Sequence, residues 1–195
     1  DGTGNTAVGT SSLYNNTNGS GNTAIGMSAM YSNKTGFQNT AVGSSSLEAV
    51  TSGFNNTALG YHALYDDTSG SLNTAVGNLA LSNNTNGSNN VAIGNNALST
   101  NTTGKYNTAQ GMNALNGNTT GDRNTANGYT ALYWNTLGYS NTASGYAALF
   151  SNTTGHNNVS YGDSSLYFNT VGNYNTAIGN VSLLNNTTGS NNTSM

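Results

Sequence analysis

Cysteine and proline are absent, and charge nearly so: the 195 residues carry three Lys or Arg and six Asp or Glu. Without cysteine there is no disulfide frame and no thiolate metal site. Lys34, Lys105 and Arg123 are the only basic side chains, and the formal net charge is −3. Such a surface cannot track phosphates, so neither nucleic acid nor an anionic membrane is an expected partner. Apolar runs are only a few residues long, too short for membrane insertion in this segment. Hydrophobic residues are 34% of the chain, many of them alanine, which argues against a wide apolar core. No signal-peptide pattern opens the chain. It starts and stops inside a repeat, as a piece cut from a longer array or fibre would.

What the chain does have is one pattern, Asn-Thr-Ala-(Val/Ile)-Gly, at a fixed period. It begins at Asn5, Asn22, Asn39, Asn56, Asn73 and Asn90, and continues at Asn107, Asn124, Asn141, Asn158, Asn175 and Asn192. Every step is 17 residues, without insertion or deletion, so residues 1–195 read as a single repeat array. Glycine occupies the fifth position from Gly9 to Gly179 and the fifteenth from Gly2 to Gly189 without a gap. The ninth position is Leu except at Met30. A disordered or amyloid-prone Asn/Thr/Gly tract would not keep this register.

A unit this short, with two glycines and β-favouring Thr and Val, cannot hold two packed helices. It predicts an all-β fold: a parallel β-solenoid with one repeat per turn and about 11 turns, a rod roughly 50 Å long at the ~4.8 Å spacing of paired strands. Strand alternation puts Thr and Val on one face of Thr-Ala-Val and Ala on the other. Ala holds in ten of the 11 full copies, Ser160 excepted, whereas the Val column becomes Gln110, Asn127, Ser144 and Tyr161. Ala is therefore expected inside, packed on the Leu column. The invariant asparagines from Asn5 to Asn175 are expected to form amide ladders, each side chain bonding the copies above and below. The glycines mark corners that need positive φ or close backbone approach. Both absences fit: proline would delete a ladder bond, and repeated charge would sit against its own copy.

The Asn-Thr-Ala-Ile-Gly signature at Asn22–Gly26 and Asn175–Gly179 resembles the head repeats of YadA-like trimeric autotransporter adhesins. The 17-residue form, as in Gly36–Gly53, is similar to repeats of phage tail fibres and bacterial surface proteins. This resemblance covers essentially the whole chain. It implies a left-handed parallel β-roll, three chains side by side as a homotrimer, and attachment to cell or host surfaces. On that reading the chain is a segment of an extracellular, cell-surface or virion fibre, with a cell-surface or glycan receptor as partner.

No catalytic constellation is present, so the chain is expected not to be an enzyme, and no cofactor is expected. His62 and His156 fall in different columns with no Cys or matched carboxylate pair beside them. Asp66, Asp67 and Glu48 lack the calcium β-roll pattern and read as isolated surface charges. No Lys follows the glycines as a P-loop requires.

The aromatics are more informative. Ten of the chain's 17 lie within residues 129–174, including Tyr129, Tyr133, Trp134, Tyr146, Phe150, Tyr161, Tyr167 and Phe168. The tenth position is aromatic at Tyr14, Tyr31, Tyr65, Tyr133, Phe150 and Tyr167, and alternation turns it outward. Two readings stand: rings that pack between chains or cover the rod, and rings that stack sugars beside Asn and Thr hydrogen-bonders. A Thr-x-Val face, Thr in ten of 12 copies, also allows an ice-binding solenoid. A purely structural filament, glycosylated at triplets such as Asn15-Asn16-Thr17, is a further alternative.

Overall fold

The computed structural model describes residues 2–195; Asp1, the first residue of the array, lies outside the described residues. Twelve parallel strands, one per repeat, run from β1 (Thr6–Val8) to β12 (Thr193–Ser194) and form one sheet in sequence order. Each strand pairs with the next in a 17-residue register: Thr6 with Thr23, Ala7 with Ala24, Val8 with Ile25. The described residues contain no helix. The chain is a β-solenoid of about 11 turns, numbered here from the unit that begins at Asn5.

The sheet is only three residues wide because the fifth-position glycine ends each strand. Gly43 has a φ of 135°, and a Cβ there would lie 2.5 Å from the carbonyl oxygen of Gly60 in the next turn. Beyond it the chain leaves strand geometry, yet its hydrogen bonds still run from turn to turn. Leu47 N–H donates to Ala63 O at 3.0 Å, Ala49 N–H to Tyr65 O at 3.1 Å, and Thr51 N–H to Thr68 O at 2.9 Å.

The bends do not rely on glycine alone. The seventh, ninth and seventeenth positions are left-handed at non-glycine residues, as at His62 (φ 53°), Leu64 (φ 52°) and Leu72 (φ 61°). A left-handed L-residue costs about 1–2 kcal/mol, whereas full burial of a leucine side chain contributes about 1.5–3 kcal/mol. From Met30 to Leu166 every ninth-position side chain has zero exposure, so the two terms settle in favour of the bend. The corner glycines expected from sequence are therefore only part of the turning device.

The core is the expected Ala/Leu stack, joined by the eighth position. Ala58, Ala63 and Leu64 have zero exposure in one turn, and their equivalents repeat along the rod. Ala7 is exposed, in the first turn, where a neighbouring turn covers it on one side only. At Ser160 the missing alanine is matched within its turn: its hydroxyl bonds Ser165, which stands at the eighth position where most turns have alanine.

The first asparagine column departs in part from the expected amide ladder. The Oδ1 of Asn22 accepts the backbone N–H of Asn39 at 3.0 Å, and its Nδ2 donates to Gly36 O at 2.8 Å. Amide-to-amide bonds in this column occur only from the Asn73–Asn90 pair onward, at 3.1–3.3 Å. The reason is that the column's own backbone N–H needs an acceptor, and the stacked side-chain oxygen supplies it.

The first column thus forms the expected amide ladder from Asn73 onward, and a second, shorter-bonded ladder runs in the twelfth column. Asn118 donates to Asn101 at 2.8 Å, Asn135 to Asn118 at 2.9 Å, and Asn152 to Asn135 at 2.7 Å. Both columns converge on the fifteenth-position glycine: Asn124 and Asn135 each donate to Gly138 O, at 2.8 and 2.9 Å. That glycine is fixed by crowding rather than by φ, because a Cβ on Gly138 would sit 2.2 Å from the Asn135 Oδ1.

Val50 and Asp67 interrupt the twelfth column. Val50 offers no donor, and the buried Asn33 Oδ1 is left without a partner. Asp67 Oδ1 accepts from Asn84 Nδ2 at 3.2 Å and from Gly70 N–H at 2.8 Å. Its Oδ2 is buried without a partner. That oxygen stands where Asn33 and Asn84 have an amide nitrogen donating to a glycine carbonyl. Burial pushes the Asp67 carboxyl up to about 7, against the opposing bonds from Gly70 and Asn84. Asp67 is thus buried and Asp66 exposed, which corrects the reading of both as surface charges and sends the two carboxylates apart.

Candidate binding cleft on turns 8 to 10

The sixth, seventh, tenth and eleventh positions form one outer corner of each turn. In turns 8–10 (residues 124–174) this corner becomes an open cleft of about 470 Å³. One wall is Tyr129 and Tyr146, from the sixth column, stacked at 5.4 Å. The other is the tenth column: Tyr133 and Phe150 stack at 5.3 Å, Phe150 and Tyr167 at 5.0 Å. Thr130 and Ala147, both buried, lie between the walls, and Asn113 closes one end.

The cleft follows from small residues at the left-handed seventh position. Thr130 has φ 52° and Ala147 φ 49°. A β-branched residue at positive φ is strained, and such strain persists only where the surrounding structure imposes it. In turn 4 the same position holds His62, which fills the space by stacking between Tyr61 (3.9 Å) and Tyr65 (4.3 Å). A cleft needs aromatic walls and a small residue between them.

Trp134 adds a different surface. Its ring meets Tyr133 edge-on at 82° and lines the cleft with 51% of the residue exposed. Phe168 repeats the edge-on contact two turns later, at 75° to Tyr167, just beyond the residues that line the cleft. Tyr161 belongs elsewhere: it ends strand β10 (Val159–Tyr161), among the outward residues of the sheet. The aromatic thickening in sequence thus divides by face. Tyr139, His156 and Tyr174 form another cluster, with Tyr139 stacked on His156 at 4.6 Å.

The opposite character marks the sheet's outer face in turns 1–6. Thr, or Val91 in turn 6, and the fourth-position aliphatics face out there, with Val8 at 55% exposure and Leu59 at 46%. The column then turns polar at Gln110, Asn127 and Ser144. No single column shows that Tyr129 and Tyr146 face the tenth column, since the sixth position elsewhere is Thr, Met, Ser, Asn or Asp, with Tyr61 the one other aromatic. Both tyrosines stand among the aromatics that thicken over residues 129–174, whereas Asn113, Thr130 and Ala147 of the lining carry no sequence signal of their own.

No group of three or more His, Cys, Asp or Glu that could hold a metal lies among the described residues. Compared with known proteins, the chain matches no family model, no curated protein and no solved structure.

Proposed function

We propose that this solenoid is a rigid, non-catalytic segment of an extracellular or virion fibre that attaches to carbohydrate through the cleft on turns 8–10. The observation that carries the reading is convergence: Tyr129, Tyr146, Tyr133, Phe150, Tyr167 and Trp134, drawn from three columns, line one open cleft. Aromatic rings beside hydroxyl and amide groups match a ligand that offers both C–H faces and hydroxyls. The test is a glycan array with the wild type and with Tyr133, Trp134 and Tyr167 replaced together by Ala. Loss of the bound spots is expected; unchanged binding sinks the proposal.

Self-association into a homotrimer belongs to the same reading. The Thr-x-aliphatic strip of turns 1–5, continued by Val91 and Ile93 in turn 6, supports it, because a slim rod with a small core per turn gains stability by lateral burial. Light scattering should give three chains per particle, and a monomer removes this part. The same strip, with Thr aligned in register from Thr6 to Thr74, favours ice binding as a second reading. A thermal hysteresis assay decides it.

A further inference from the structure

We propose that Trp134 and Phe168 form a two-ring platform for a neutral, extended β-1,4-linked glycan strand lying along the rod axis; this rests on the carbohydrate reading of the cleft. The rings of Tyr133, Phe150 and Tyr167 lie nearly parallel, within 12° and 8° of one another, so each covers the face of the next. They offer mostly edges to a ligand. Trp134 and Phe168 stand across that stack, at 82° and 75° to their tenth-column neighbours. Their planes therefore run along the stack, and both residues are about half exposed, at 51% and 46%.

Both occupy the eleventh column, two turns apart, with the small Ser151 between them. Two turns of a parallel ladder advance by about 9.6 Å. An extended β-1,4-linked chain turns alternate pyranose rings to the same side, and two sugar units advance by nearly that distance. Alternate sugars can then rest on the two rings while the sugar between them passes over Ser151. A coiled α-linked glycan does not keep this repeat. The ligand is neutral because Asp163 is the only acidic residue in turns 8–10 and no Lys or Arg falls within them. Plain and N-acetylated sugars share this chemistry, and the experiment separates them.

Calorimetric titration with cellohexaose, chitohexaose, maltohexaose and the matching disaccharides tests the platform. One β-1,4 hexasaccharide should bind; its disaccharide, too short for both rings, should bind much more weakly, and maltohexaose should not bind. Trp134→Ala and Phe168→Ala should each weaken binding roughly 3- to 10-fold. Tyr161→Ala, on the sheet face, should leave it unchanged. Ser151→Trp blocks the gap without removing any ring, so it should abolish binding even if a truncated variant misfolds. Hexasaccharide binding that neither ring alters, or equal binding of maltohexaose, overturns the platform and leaves the cleft reading standing if Tyr133→Ala still matters. No binding of any sugar by the wild type overturns both.

Discussion

Asp67 shows what one side chain does in a stacked fold. Folding raises its carboxyl pKa from 3.8 to about 7 through burial. Between those values the folded chain keeps a proton that the unfolded chain releases, so stability falls as pH rises through that window and levels off above it. The change is on the order of 4 kcal/mol. Glu48 in the turn below is half-buried, Asp66, Tyr61, His62 and Tyr65 lie at the outer surface of its own turn, and the turn above has no titratable residue. Denaturant unfolding at pH 4, 5.5, 7 and 8.5 should trace this decline, and Asp67→Asn should flatten it, because an amide has no proton to release in this range. A second residue-scale contrast concerns glycine. Gly94→Ala should cost about 3 kcal/mol or more, since the site combines φ 136° with a backbone oxygen 2.5 Å from the new Cβ. Gly21→Asn should cost under about 1 kcal/mol, because its column is left-handed at Gln38 and Asn55 as well. Thermal melts of the two variants check this.

At the scale of the element, the stabilising unit is the column rather than the strand. Asn118 donates to Asn101 and Gly121 and accepts from Asn135. Asn118→Ala removes these bonds and orphans a buried oxygen on Asn101, so it should cost about 2–4 kcal/mol. Asn16→Ala, part-buried at the rim of the column, should cost clearly less by the same chemical unfolding measurement. The repeat made the sheet, its register, the inward alanine and the inward leucine legible, since each is a period-2 or period-17 statement about one residue type. That the twelfth column, interrupted at Val50 and Asp67, carries the shorter amide bonds was not legible, because it depends on which column's backbone N–H takes the side-chain oxygen as acceptor. Left-handed leucines were hidden for a similar reason, because propensity alone disfavours them and only burial reverses the sign. Tyr133, Trp134 and Phe150 could be named from sequence, but their joining with Tyr129 and Tyr146 depends on a corner that a linear reading does not draw.

For the whole molecule, identical turns make length and order separable. Deleting residues 73–89, one full unit, should leave a folded rod shorter by about 4.8 Å, whereas a deletion that is not a whole repeat breaks every column at once. Small-angle scattering and circular dichroism distinguish the outcomes. The turn-to-turn hydrogen bonds that link Leu47 to Ala63 and Thr51 to Thr68 run along the rod, not across it. Such a rod has the cross-β geometry of an amyloid fibril inside one chain. An oriented film should therefore give a meridional X-ray reflection near 4.8 Å, and amyloid-type diffraction from this chain is the signature of its native state rather than of aggregation.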